Sequence, residues 1–195
     1  GALYVAQNAV DDYNRNPVIM VSFTVFTDAD GGQESDYDFS ELTAKYDACE
    51  HDVINVLMPY INEHYSTRMG RENTAIAGYS LGGRESLFLC FEHPDVFGYV
   101  GAFAPVGGVV DTGNGEKVYG NRGFLLPELV KDGEQQPLVT LIVTGDSDPY
   151  CKESAINYSD YMTSHGINHI FYIRQGAHDV SVWNNGLYNF IRRIF

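Results

Sequence analysis

Apolar positions along the chain fall into short β-branched runs separated by longer stretches with helical spacing. The run NPVIMVSFTVF (16–26) is apolar and bounded by polar residues, the pattern of a buried parallel strand. Residues 28–40 are acidic and glycine-bearing and predict a loop, after which 41–65 carry apolar residues at the period of a long amphipathic helix. A strand over 73–79, a helix through 81–93 and a strand over 97–106 continue the chain. Between Gly107 and Pro137 only FLLPELV (124–130) is apolar, which predicts an excursion holding one short helix. A strand over 138–145, a helix over 153–166, a strand over 168–175 and a closing helix over 181–195 complete the pattern, with Asn184, Asn185 and Gly186 weakening the last helix at its start. This alternation predicts an α/β fold: a mainly parallel sheet with helices on both faces and its chemistry at the carboxyl ends of the strands.

Composition narrows the class. A chain of 195 residues, 44% hydrophobic, can bury one sizeable core, so a single domain over 1–195 is expected. Twelve basic against 26 acidic side chains give a formal charge of −14, which repels a phosphate backbone or an anionic membrane surface and excludes nucleic acid as a partner. No apolar run approaches the roughly 18 residues that cross a bilayer, and the amino end has no basic region followed by an apolar one. Cys49, Cys90 and Cys151 permit at most one bridge, and neither they nor the six histidines show metal-ligand spacing, so no metal is expected.

The candidate chemistry begins at Gly78-Tyr79-Ser80-Leu81-Gly82, which fits G-x-S-x-G between a predicted strand and a predicted helix. A sharp turn there lifts the Ser80 hydroxyl above the sheet edge, the flanking glycines removing side chains that would collide with backbone. The same turn brings the Leu81 amide to a helix amino terminus, where it can stabilise an oxyanion. Alone, the pattern also suits a serine that merely caps a helix.

A serine hydroxyl needs a base, and in chain order an acid and then a histidine should follow, each in a loop after a strand. Asp146 and Asp148 both lie in GDSDPYC after the strand over 138–145, and either could orient a histidine, although aspartates also favour turns for their own backbone bonds. His178, in IRQGAHDVSVW, is the one histidine in a loop between the last strand and the closing helix. His51, His64, His93, His165 and His169 fall on predicted helices or their ends, where surface or capping roles are expected.

Together AIAGYSLGG, IVTGDSDPYC and QGAHDVSVWNNGLYNF resemble the feruloyl and acetylxylan esterases of carbohydrate esterase family 1, within the esterase D-like group of the α/β-hydrolases. The stretch H-D-x-x-x-W followed by G-L-x-N-F is the most distinctive part, and PYINEHYSTRMGRENTAIAG is similar to the segment such enzymes carry before their nucleophile. The resemblance implies an α/β-hydrolase fold with Ser80 as nucleophile, His178 as base and Asp148, rather than Asp146, as the orienting acid. It implies hydrolysis of feruloyl or acetyl esters on plant cell-wall polysaccharides such as xylan, no metal or organic cofactor, a carbohydrate ester as partner and a secreted protein.

The resemblance also implies an upstream glycine-bearing loop that supplies a second oxyanion donor, and earlier strands of the sheet. Residues 1–14 are similar to the helix that follows that loop, so the domain is expected to be incomplete at its amino end, lacking its N-terminal strands. The Gly31-Gly32 loop follows a later strand and is expected to be an ordinary loop. For substrate contact Trp183 is the first candidate, with anchoring of the closing helix as an equal alternative, and Tyr150 is the second. Competing functions are a hydrolase of another ester class, such as a siderophore esterase, an acyltransferase, or a catalytically silent module that binds carbohydrate or protein.

Overall fold

The structure, a computed structural model, describes residues 1–27, 32–109 and 136–195. Among these, four strands, β1 (Ala75–Tyr79), β2 (Tyr99–Phe103), β3 (Val139–Gly145) and β4 (Ile170–Arg174), form one parallel sheet in the order β1-β2-β3-β4. The register pairs Gly78 with Ala102 and Phe103 with Val143, so the carboxyl ends of the strands line up along one rim.

Strand side chains alternate between the two faces, and each face has its own helices. Ile76, Val100, Ala102 and Ile142 face one core, filled by helix α5 (Leu81–Glu92), helix α6 (Lys152–Ser164) and the helical segment around Cys49 and Val53. Phe103, Leu141 and Val143 face the other, filled by helix α1 (Ala2–Tyr13) and helix α7 (Val180–Ile191). The helix expected to be weakened by Asn184, Asn185 and Gly186 is unbroken there, because Gly186 lets it lie close on the sheet, and it ends at Ile191 rather than running to 195. A Cβ at Gly186 would stand 2.5 Å from the Phe103 ring and 2.7 Å from a Val143 methyl.

The predicted helix over 41–65 is present but interrupted. Helix α2 (Phe39–Asp47) gives way at Ala48 to helix α3 (Cys49–Asp52), a π turn over Val53–Leu57 and helix α4 (Met58–His64). Pro59 has no N–H to return to the carbonyl four residues earlier, and the residues before it take the wider spacing. The predicted strand over 97–106 ends at Phe103, since Ala104 turns to φ 46°.

One element expected from the sequence is absent. Residues 16–26 form no strand; they run without ladder bonds, and Ile19, Val21 and Phe23 are exposed. A strand exists only by pairing, and among the described residues none lies alongside this segment, while β1 is paired on one side only. The predicted short helix at 124–130 and Gly31 lie outside the described residues. No described helix is long and apolar enough to cross a membrane.

Candidate active site

Ser80 sits between β1 and α5 with φ 58° and ψ −119°, a backbone conformation that a side chain rarely adopts. Four main-chain bonds hold it there. Its N–H donates to the Phe103 carbonyl at 2.9 Å, and its own carbonyl accepts from Gly83, Arg84 and Val106, each at 3.1 Å. Strain of this kind persists only where the surroundings over-determine it, and it concentrates at functional sites. The two glycines of the motif are not equivalent. A Cβ at Gly78 would lie 2.1 Å from the Gly82 carbonyl oxygen, whereas one at Gly82 would meet nothing within 4 Å. The expectation that both glycines clear backbone therefore holds for Gly78 alone. Leu81, half-buried, opens α5, and its amide lies in the first turn.

The other two predicted residues converge on that hydroxyl. His178 Nε2 lies 3.0 Å from Ser80 Oγ, and His178 Nδ1 lies 2.8 Å from Asp148 Oδ2. The second oxygen of Asp148 accepts from the N–H groups of Tyr150 and Cys151, both at 2.9 Å. Burial opposes the charge on Asp148, but the His178 hydrogen bond and the two backbone donors outweigh it and hold the carboxyl below its ordinary range. With Nδ1 donating to that carboxylate, Nε2 is the acceptor that faces the Ser80 hydroxyl.

The aspartate left open by position takes a different part. Asp146 Oδ1 accepts from the Gly176 N–H at 3.0 Å, mooring the loop that bears the histidine. Asp179 caps α7, its carboxylate accepting from the N–H groups of Ser181 and Val182 and from the Ser181 hydroxyl. It also accepts from the Ala177 N–H, and the Ser181 hydroxyl, foremost among these donors, brings its carboxyl down to about 2. His178 is thus flanked by two fixed acids as well as held by a third. Asp179 was legible as an N-cap signal beside the histidine; the mooring by Asp146 had no local signal.

Aromatic rings surround the His178 imidazole. Tyr79, the variable residue of the serine motif, lies against the His178 imidazole with centroids 4.7 Å apart, and Trp183 stacks on Tyr79 at 5.7 Å. Tyr79 thus links the Trp183 ring to the imidazole. Tyr150 meets the imidazole edge-on at 5.6 Å and is 78% exposed, so of the two predicted substrate residues it has the freer ring. Cys151, also unforeseen, is buried, its N–H donates to Asp148 and its carbonyl accepts from the Ser154 hydroxyl at 3.1 Å.

The remaining histidines have local partners. His64 and His165 bond the carbonyls of Tyr60 and Tyr161 one turn earlier, His93 pairs with Glu50, His169 with Ser159 and His51 with Asp52. Behind the serine, Arg84 of α5 is buried between Asp47 of α2, at 2.6 Å, and its neighbour Glu85. Burial, reinforced by Asp47 and opposed by Arg84, pushes the Glu85 carboxyl up to about 7.

A parallel sheet with helices on both faces, a strained serine at a strand-to-helix turn and a histidine and aspartate from later loops define an α/β-hydrolase fold. The profile of the family described as "Putative esterase" matches residues 3–194, and the chain belongs to that family. The chain is similar to the CE1 ferulic acid esterase AmCE1/Fae1A of Anaeromyces mucronatus, solved in complex with ferulic acid, at 37% identity and a TM-score of 0.69. That match covers 80% of this chain and 57% of the other; the structure of the same enzyme without substrate matches at 36% identity and a TM-score of 0.70, covering 81% and 57%. An endo-1,4-β-xylanase/feruloyl esterase of Xylanibacter ruminicola is 25% identical over 167 residues, 84% of this chain and 20% of that protein. The chain thus spans just over half the length of the solved fungal esterase and a fifth of the curated bacterial relative.

Proposed function

We propose that the protein is a serine carboxylesterase that removes feruloyl or acetyl substituents from plant cell-wall polysaccharides such as xylan. The observation that carries this reading is the position of His178, with one ring nitrogen on Ser80 Oγ and the other on Asp148. The substrate class draws support from the family and from the fungal relative, whose structure holds ferulic acid.

In this reading His178 Nε2 takes the Ser80 proton as Oγ attacks the ester carbonyl. The oxyanion forms beside the Leu81 amide at the start of α5, where the helix end favours negative charge. His178 then returns the proton to the departing sugar alcohol, and the acyl group remains on Ser80. Water enters, His178 takes its proton, and attack on the acyl-serine releases the free acid. Asp148, kept ionised by its three donors, holds the imidazole and stabilises its cationic form. The Tyr150 ring beside the imidazole offers an apolar face to an aromatic acyl group or a sugar. A secreted location fits a polymeric extracellular substrate.

The test is release of ferulate and acetate from feruloylated and acetylated xylan, with a simple aryl ester as reference. Mass spectrometry after fluorophosphonate labelling should place the adduct on Ser80. Label on another residue, with Ser80 unmodified, would sink the assignment.

A further inference from the structure

We propose that Asp148, Cys151 and His178 form a binding site for a soft divalent cation such as Zn²⁺, and that occupation of this site switches the esterase off. One ligand atom from each of these three residues falls in a group whose members all lie within 4.8 Å of one another, and Asp148 and Cys151 are buried. Tetrahedral zinc with nitrogen, oxygen and sulfur bonds of about 2.0–2.3 Å needs its ligand atoms roughly 3.5 Å apart, so small side-chain shifts bring the three to coordination distance. Thiolate, imidazole and carboxylate are donors that zinc takes, and water can fill the fourth position. The imidazole, 19% exposed, gives the ion its way in.

Sequence spacing hides this site, because His178 is remote in the chain from the GDSDPYC loop and only the fold joins them. The thiol is not a reactive group in itself: burial, with Asp148 adding to it, pushes it up to about 12. A dication in contact removes that penalty, since coordination replaces the thiol proton, which passes to solvent as the Zn–S bond forms. Either mode of imidazole binding disables the base. Coordination through Nε2 occupies the atom that faces Ser80. Coordination through Nδ1 leaves the ring proton on Nε2, which then cannot accept the serine proton.

Cation binding stands apart from the esterase reading, whereas inhibition rests on it, and the experiment separates the two. Co²⁺ is titrated into the Ser80→Ala chain, where a thiolate-to-cobalt charge-transfer band in the near ultraviolet should appear and be lost in the Ser80→Ala, Cys151→Ala double variant. In parallel, Zn²⁺ is titrated against aryl-ester hydrolysis by the otherwise unaltered chain and by Cys151→Ala, with Cys151→Ser as the closer replacement should alanine fail to fold. Zinc should inhibit reversibly to chelator, and loss of the thiol should raise the zinc needed for half inhibition at least about tenfold, the least that loss of a direct ligand should cost. Absence of the band, or equal zinc sensitivity without the thiol, overturns the proposal. The cobalt band in Ser80→Ala, together with an otherwise unaltered chain that neither hydrolyses the aryl ester nor takes a fluorophosphonate at Ser80, upholds the cation site and removes the esterase reading instead.

Discussion

The Ser80 turn and the Asp148 loop stand at the same rim of the sheet but in unlike surroundings. Asp148 follows β3, an interior strand whose residues from Thr140 to Gly145 are buried between β2 and β4. Ser80 follows β1, which among the described residues pairs with β2 alone, and Ala77 on it is exposed. The serine turn is held from one side, by the Phe103 carbonyl at the end of β2, by the Val106 N–H just beyond it and by α5, tied to α2 through Arg84 and Asp47. Strand β2 pairs with both β1 and β3 and so fixes the distance between the two halves of the site. Among the described residues the strained Ser80 turn thus takes its backbone bonds from the end of β2 and from α5.

The strongest way to break the comparison is chemical. Ser80→Ala or His178→Ala should each lower kcat by about 10⁵–10⁶-fold, measured on an aryl ester, with the folded state intact by circular dichroism. Residual turnover near the parent level would show that these groups are neighbours without a shared reaction. Next in size is the contrast between the two aspartates. Asp148→Asn should cost about 10⁴-fold by disturbing the imidazole tautomer. Asp146→Asn keeps an acceptor for Gly176 and should cost on the order of 1 kcal/mol, or about fivefold to tenfold. If Asp146 were the more sensitive, the roles read from their hydrogen bonds would be reversed.

Stability measurements sharpen the picture at the edge. Gly78→Ala should destabilise the chain by at least about 1–3 kcal/mol, the usual cost of forcing atoms into filled space. Gly82→Ala should be neutral or stabilise α5 by up to about 1 kcal/mol. Urea unfolding distinguishes these, and equal effects would contradict the geometry of the turn. A subtler slope concerns Glu85. Its folded-state carboxyl is raised from 4.5 to about 7, so the folded state favours its protonated form, and the stability this contributes is full below pH 4.5 and lost as pH rises through 7. Glu85→Gln should flatten the fall over that interval; an unchanged slope would place the charge elsewhere. Smallest of all, Tyr79→Leu should lower kcat/KM by about tenfold or less through loss of a ring contact worth about 0.5–1.5 kcal/mol, with Tyr79→Phe close to the parent.

What the sequence disclosed follows the same division. Strands that pair within the chain were legible as apolar runs, and the places of Ser80, of the Asp146 and Asp148 pair and of His178, each after such a strand, were legible by order. The run at 16–26 has the composition of a strand, but composition specifies a face to be buried and not a partner to bond. With no described strand beside it the backbone stays unpaired. Choosing between Asp146 and Asp148 needed the resemblance, since two aspartates two residues apart differ only in where the loop turns them. Tyr79 stood inside the serine motif, yet its contact with His178 depends on a loop 99 residues later. Cys151, likewise, comes near His178 only through the fold.

The ring series Trp183, Tyr79, His178 gives the molecule a built-in optical probe. Trp183 is the sole tryptophan, so all indole emission originates two rings from the imidazole. Intrinsic fluorescence therefore reports on a single, known neighbourhood, and quenching by a protonated His178, by an acyl group on Ser80 or by a cation among Asp148, Cys151 and His178 can be followed in stopped flow without any added label.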